Sequence, residues 1–256
     1  MKLFIAVLLT FSLLSSLAFA DDCAEIRLDQ TLMAHVPTAD QGSTNLCYAY
    51  SAAQLIDAYH DSQTRGLLPR TSALALAART ILLTPNSASG LYGGWVQDSL
   101  RLARNEGTCA NPAEGELNPD EAVKDLEGLS SCAPKIELPL PEETSLHRKD
   151  VGGAGLKEGL QQTLSSLKPV AINFCAEVVT QRNFTPGYGG FGSCARHYAV
   201  AVGRKQINGQ CYILVRDSQC AKYKMKDGSA VCEKSQFWIN IHQLINNTDI
   251  LTYLKD

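Results

Sequence analysis

A thiol, an imidazole, a carboxylate and a primary amide are the side chains that acyl transfer by a sulfur nucleophile requires, and this chain offers one candidate for each. Cys47 lies in the stretch QGSTNLCYAYSAAQLIDAYHD, residues 41–61. Ala49, Ala52, Ala53, Ile56 and Tyr59 recur there at helical spacing, which leaves Gln54, Asp57 and His60 for a wetter side. Ser43, Thr44 and Asn45 are good helix-starting residues, so the spacing predicts Cys47 in the first turn. Unpaired backbone N–H groups and the positive end of the helix dipole favour an anion at such a place, and a thiol there is a better nucleophile. Gln41, six positions upstream, can donate an amide hydrogen bond to an oxyanion forming beside Cys47. The competing reading makes Cys47 half of a disulfide, but the chain has 9 cysteines, so one thiol stays unpaired within it.

Five histidines compete to serve as the base. His60 follows on the same helix, about 20 Å from Cys47 at roughly 1.5 Å per residue, and is excluded. His35 and His242 lack a supporting constellation, and His147 lies beside Arg148, Lys149 and Asp150 on what reads as a solvated face. His197 opens the strand-like run HYAVAVG after a glycine-rich loop, 187–193. A second run, CYILVRDS, follows across Asn208-Gly209, a strong hairpin signal. Pairing around that turn is expected to bring Asp217 opposite His197, where a carboxylate can orient the imidazole.

QGSTNLCYAYSAA, HYAVAVG and YILVRDS together resemble the active-site segments of papain-like cysteine proteases, the papain and cathepsin type, in the expected order. The resemblance implies Cys47 as nucleophile, His197 as base, Gln41 as oxyanion-hole donor and Asp217 in the orienting position. It also implies that Gly93-Gly94 forms one wall of a peptide cleft, pairing main chain to main chain with the substrate; on their own these glycines read as a turn. Tyr198 is bulkier than the small residue usual there and would narrow the pocket for the second residue on the acyl side of the cut. The departures are specific. Asp217 stands where the family usually has Asn. Gln219 replaces a tryptophan that commonly shields that residue, which would let water screen the carboxylate. Thr44 and Leu91 replace both halves of one family disulfide. Only about twenty residues separate the leader from Gln41, too few for a long inhibitory propeptide.

The elements that must hold these groups read as a mixture of helices and antiparallel strands. Lys2, the apolar run to Leu17 and Ala18-Phe19-Ala20 form a signal-peptide pattern, residues 1–20, so an exported protein, secreted or periplasmic, is expected. The remaining residues, 21–256, suffice for a large core, divided as a helical lobe at about 21–135 and a β lobe at about 150–256. Helices are predicted at 69–83, 95–105, 119–126 and 155–167, and strands at 169–174, 197–203, 211–218, 237–244 and in the tail. The acidic, prolyl segment 109–150 reads as a surface connection. Proximity pairs Cys109 with Cys132 and Cys220 with Cys232, with Cys47 as the free thiol and Cys23 in a staple. Cys47 and His197 both read as dispensable to the core.

The expected whole is an α+β, papain-like two-lobe fold with the site in the cleft, acting as a monomer on a peptide or protein substrate without metal or cofactor. A net charge of −3 with no basic cluster argues against nucleic acid or anionic membrane as a partner. Two alternatives stay open: a catalytically silent scaffold that binds a peptide or protein, and a thiol amidase or transpeptidase.

Overall fold

The helix that begins at Cys47, α1 (Cys47–Thr64), is buried without interruption from Cys47 to Ala58. A computed structural model of the chain describes residues 23–84, 93–111, 118–132, 135–136, 139–181, 194–224 and 231–255; the leader, Leu91 and the glycine loop 187–193 lie outside them. The wetter side expected of α1 does not exist, since Gln54, Asp57 and His60 are buried with the rest. The reason is its surroundings. α2 (Ala73–Leu83) and α3 (Val96–Glu106) pack against one flank, and the sheet closes the other. Burial pushes the Asp57 carboxyl up to about 6, against the backbone N–H of Thr71, which donates to it at 2.8 Å. Alanines at 49, 52, 53 and 58 let the neighbours approach closely. The helix ends at Arg65, which adopts the left-handed conformation (φ 55°).

Ser72 caps α2, accepting from Ala75 N at 3.2 Å, so that helix starts later than the 69 expected. The segment 109–150 is more ordered than its composition suggested. β2 (Thr108–Cys109) pairs with β3 (Lys135–Ile136), and two short helices, α4 (Pro119–Ala122) and α5 (Leu126–Ser130), replace the single helix at 119–126. β4 (Glu143–His147) is a true sheet strand, with His147 half-buried rather than on a solvated face. Tertiary pairing overrode local composition there. α6 (Arg148–Ser165) starts seven residues before the predicted 155, and it kinks at Gly152 (φ 67°), which separates that first turn from the periodic part.

The sheet is antiparallel. β5 (Val170–Cys175), β6 (Arg196–Ile207), β7 (Gln210–Arg216), β8 (Gln236–Asn240) and β9 (Thr248–Leu254) join β4 in the order β4-β9-β5-β6-β7-β8. β1 (Ile26–Arg27) pairs with the far half of β6. Asn208 (φ 51°) and Gly209 (φ 74°) make the turn between β6 and β7, as their types predict. The strand expected at 237–244 stops at Asn240, whose side chain accepts from the N–H groups of His242 and Gln243 and starts α8 (Ile241–Asn246). One continuous apolar cluster runs from α1 and α3 through β5, β6 and β7 to α8. No described helix is long and apolar enough to cross a membrane.

Four disulfides use eight cysteines: Cys23–Cys211, Cys109–Cys132, Cys175–Cys194 and Cys220–Cys232. Cys47 is the free thiol. Cys23–Cys211 fixes the start of β1 to β7, and Cys175–Cys194 ties the end of β5 to the approach to His197.

Candidate active site

Cys47 is the first residue of α1, and no side chain caps that end. Leu46 occupies the capping position. Ser43, Thr44 and Asn45 do not cap the helix, because Ser43 is taken by Asp120 and the Thr44 hydroxyl donates to Gln41 O at 2.6 Å. The thiol is 8% exposed and faces the β6 strand end that carries His197.

His197 is pinned from several sides. Its Nε2 lies 2.8 Å from Asp217 Oδ1, which also accepts the backbone N–H of Gln219 at 2.7 Å. Cys47 acts electrostatically on the same ring, so the imidazole sits between thiol and carboxylate, with Nδ1 left for the sulfur. Phe174, directly opposite on β5, meets the imidazole edge-on at 5.8 Å between centroids. Burial opposes a charge on His197, but the negative charges of Asp217 and of a Cys47 thiolate outweigh it and raise its pKa to about 10. An imidazolium therefore persists well above neutrality when the thiolate is present.

The carboxylate does not reach His197 by simple cross-strand pairing. β6 and β7 pair Gly203 with Leu214 on the turn side and Ala201 with Val215 beyond it, so Val202 is an extra residue. Carried on, this bulged register sets Asp217 opposite Ala199, on the same face as His197 two residues away. Without the bulge Asp217 would face Val200 and point to the other side. The expectation that Asp217 sits opposite His197 is thus met diagonally.

Gln41 is fully buried. Gln41 Nε2 donates to Thr44 O at 2.6 Å; that carbonyl can only accept, which fixes this atom as nitrogen, and Ser218 donates its hydroxyl to the remaining Oε1 at 2.6 Å. Gln41 N also donates to Ser218 O at 3.1 Å. The residue after Asp217 therefore holds the amide that precedes Cys47, joining helix side to sheet side. Sequence reasoning did not single out Ser218, although it lies inside the quoted run YILVRDS.

Gly94 packs on the residue after the thiol. A Cβ there would lie 2.8 Å from the Tyr48 ring, whereas Gly93 (φ 138°) has open space. Gly94→Ala is expected to cost about 1–3 kcal/mol through overpacking. If Gly94 lines a peptide cleft, as the resemblance implies, the substitution should also raise KM for peptides. Thermal unfolding and steady-state kinetics on the purified variant check this; unchanged stability and KM would remove Gly94 from the wall. Tyr198 is 2% exposed, and its hydroxyl is directed at the backbone of Val96 at the start of α3. Burial and the nearby Cys47 charge push its phenol pKa upward.

The water screening expected at Asp217 is absent. Asp217 is 0% exposed even though Gln219 replaces the tryptophan, because Tyr223 sets its ring edge against His197 at 6.3 Å and 85°. Tyr223 and Phe174 escaped the sequence reading, since neither adjoins a motif. Among the described residues, no group of three or more His, Cys, Asp or Glu side chains is arranged to hold a metal ion.

No protein-family model and no curated protein matches the sequence. Solved structures do match. Digestive procathepsin L2 proteinase from the larval midgut of Tenebrio molitor aligns over 91% of this chain and 68% of its own, at 20% identity and a TM-score of 0.63. Digestive procathepsin L 3 of the same insect aligns over 93% and 72%, at 15% identity and a TM-score of 0.62. The Carica candamarcensis cysteine protease CMS1MS2, solved in complex with E-64, aligns over 91% and 98%, at 18% identity and a TM-score of 0.57. The α+β arrangement, helices packed on an antiparallel sheet, is that of the papain-like fold.

Proposed function

We propose that this protein is an exported cysteine peptidase that cleaves peptide bonds through a thioacyl intermediate on Cys47. The observation that carries this reading is the buried grouping of Cys47, His197 and Asp217, in which the imidazole meets the carboxylate at 2.8 Å and feels the charge of Cys47. The Cys47 thiolate attacks the substrate carbonyl carbon and forms a C–S bond. The resulting oxyanion takes hydrogen bonds from the Cys47 backbone N–H and from Gln41 Nε2, which has a second hydrogen beyond the one given to Thr44. His197 passes its proton to the amine as the C–N bond breaks. It then accepts a proton from water, which attacks the thioacyl carbon; the C–S bond breaks and the acid leaves. Gly93 and Gly94 lie along the peptide, and Tyr198 limits the room beside Val96. Four disulfides are consistent with an oxidising compartment reached by export. The active unit is proposed to be a monomer.

A thiol-directed epoxide probe, followed by proteolytic digestion and mass spectrometry without reduction, is expected to modify Cys47 alone. A peptide-library digest should then show hydrolysis that the same probe abolishes. Labelling without hydrolysis of any peptide would turn the reading towards an amidase or transpeptidase, and neither labelling nor hydrolysis would leave a binding scaffold.

A further inference from the structure

Asp217 has two carboxylate oxygens and only one is engaged by the groups already described. Oδ1 takes both His197 Nε2 and Gln219 N, while Oδ2 is buried with no hydrogen bond of standard geometry among the described residues. Such an atom is costly to bury alone. The hydroxyl of Tyr223 is likewise buried with no such bond among those residues, and it interacts with this same carboxylate. Tyr223 is delivered by a device separate from the motifs. The 3₁₀ turn Cys220–Lys222 folds the chain back after Asp217, Tyr223 N donates to Cys220 O at 3.1 Å, and Cys220–Cys232 clamps the segment. Phe237 of β8 backs the ring at 6.4 Å and 89°.

Resting on the peptidase reading above, we infer that Tyr223 is a positioning residue: its hydroxyl donates to Asp217 Oδ2 and moderates how strongly the carboxylate holds the His197 proton, while its ring keeps water out. A donor on Oδ2 disperses the carboxylate charge and aims a positive hydrogen into the site, and both effects weaken the pull on the imidazolium. That matters for turnover, because a histidine bound too tightly to its proton is a poor acid for the leaving amine and a poor base for water. Gln219, at the usual shielding position, cannot do this; its side chain is turned to Thr44 O at 3.2 Å. The charged or titratable groups acting on this cluster are Cys47 on α1, His197 on β6, Asp217 after β7, and Glu177 of the short helix α7 (Glu177–Thr180), whose carboxylate accepts Ala195 N at 2.9 Å.

The test is the titration of His197 followed by NMR of its ring in the full-length protein, which reads out whether or not any peptide is cleaved. Tyr223→Phe keeps the cover and removes the donor, so the His197 pKa should rise by about half to one pH unit. In an Asp217→Asn background, Tyr223→Phe should have no effect on His197, since the charge that it moderates is gone. In the unmutated protein, a downfield tyrosine hydroxyl proton that moves upfield in Asp217→Asn supports the same contact without relying on the folding of any Tyr223 variant. An unmoved or lowered His197 pKa in Tyr223→Phe, or no such hydroxyl proton, overturns the proposal. Failure of the parent protein to hydrolyse peptides would overturn the peptidase reading alone, since the His197 titration is independent of it.

Discussion

Replacing Cys47 by alanine is expected to lower kcat/KM by about 10⁴-fold or more, because no other group can supply the sulfur that forms the intermediate. At about 1.36 kcal/mol per tenfold, that is a loss of roughly 5 kcal/mol of transition-state stabilisation. The fold should survive nearly unchanged. The thiol is a small side chain in the first turn of α1, and alanine is the best helix former for the same volume of backbone. His197→Ala should remove a comparable share of activity but behave differently in stability. The His197 side chain is 5% exposed and is the ionic partner of a carboxylate that is 0% exposed. Deleting it strands Asp217 in the interior, a loss in the range of about 3–5 kcal/mol for a broken buried pair. The reading of His197 as dispensable to the core is therefore corrected by the structure. Kinetics on a fluorogenic peptide, paired with thermal unfolding of both variants, checks the contrast. Near-native activity in Cys47→Ala would eliminate the thioacyl mechanism.

Asp217→Asn is expected to leave an active enzyme whose alkaline limb lies at lower pH by about one to three units, the range that a nearby opposite charge produces. The sign follows from which form works. Activity needs the imidazolium, and in the native site burial lowers the His197 pKa while the charges of Asp217 and Cys47 raise it to about 10. Asparagine retains an oxygen for His197 Nε2 and for Gln219 N but carries no charge, so burial then gains ground and the proton leaves at lower pH. With Asp217 fully buried, bulk water and salt screen little of this. A profile of kcat/KM against pH for both forms decides it. An alkaline limb that stays in place would mean that the Asp217 charge does not control His197.

Much of the site was legible in the chain because its chemistry is carried by short local patterns. Cys47 at a helix start, Gln41 six residues before it, and His197 and Asp217 flanking an Asn-Gly hairpin all depend on near-neighbour geometry, and the structure places them together. That one thiol is left over followed from parity, since nine cysteines cannot all pair within one chain, and its identity as Cys47 followed from the helix start and Gln41. Three disulfides join residues close in sequence, and two of them, Cys109–Cys132 and Cys220–Cys232, were read from proximity; Cys175–Cys194, 19 residues apart, was not, and Cys23–Cys211 spans 188 residues and needed the β1–β6 pairing to bring its ends together.

What sequence could not give was register and cover. A single extra residue at Val202 decides which face of the hairpin Asp217 occupies, and nothing in HYAVAVG announces a bulge, because valine and alanine suit either face of a sheet buried on both sides. The burial of Gln54, Asp57 and His60 was likewise invisible, since polar spacing reports a wet side only when one side of the helix meets solvent. With Gln219 in the tryptophan's place the sequence implied no shield over Asp217; Tyr223 supplies one, because a 3₁₀ turn and a disulfide fold it back onto the histidine. Residue type and short-range spacing thus determined the chemistry on offer. Long-range packing decided which groups meet, which oxygen of the carboxylate each partner takes, and how far water is kept from the charge between them.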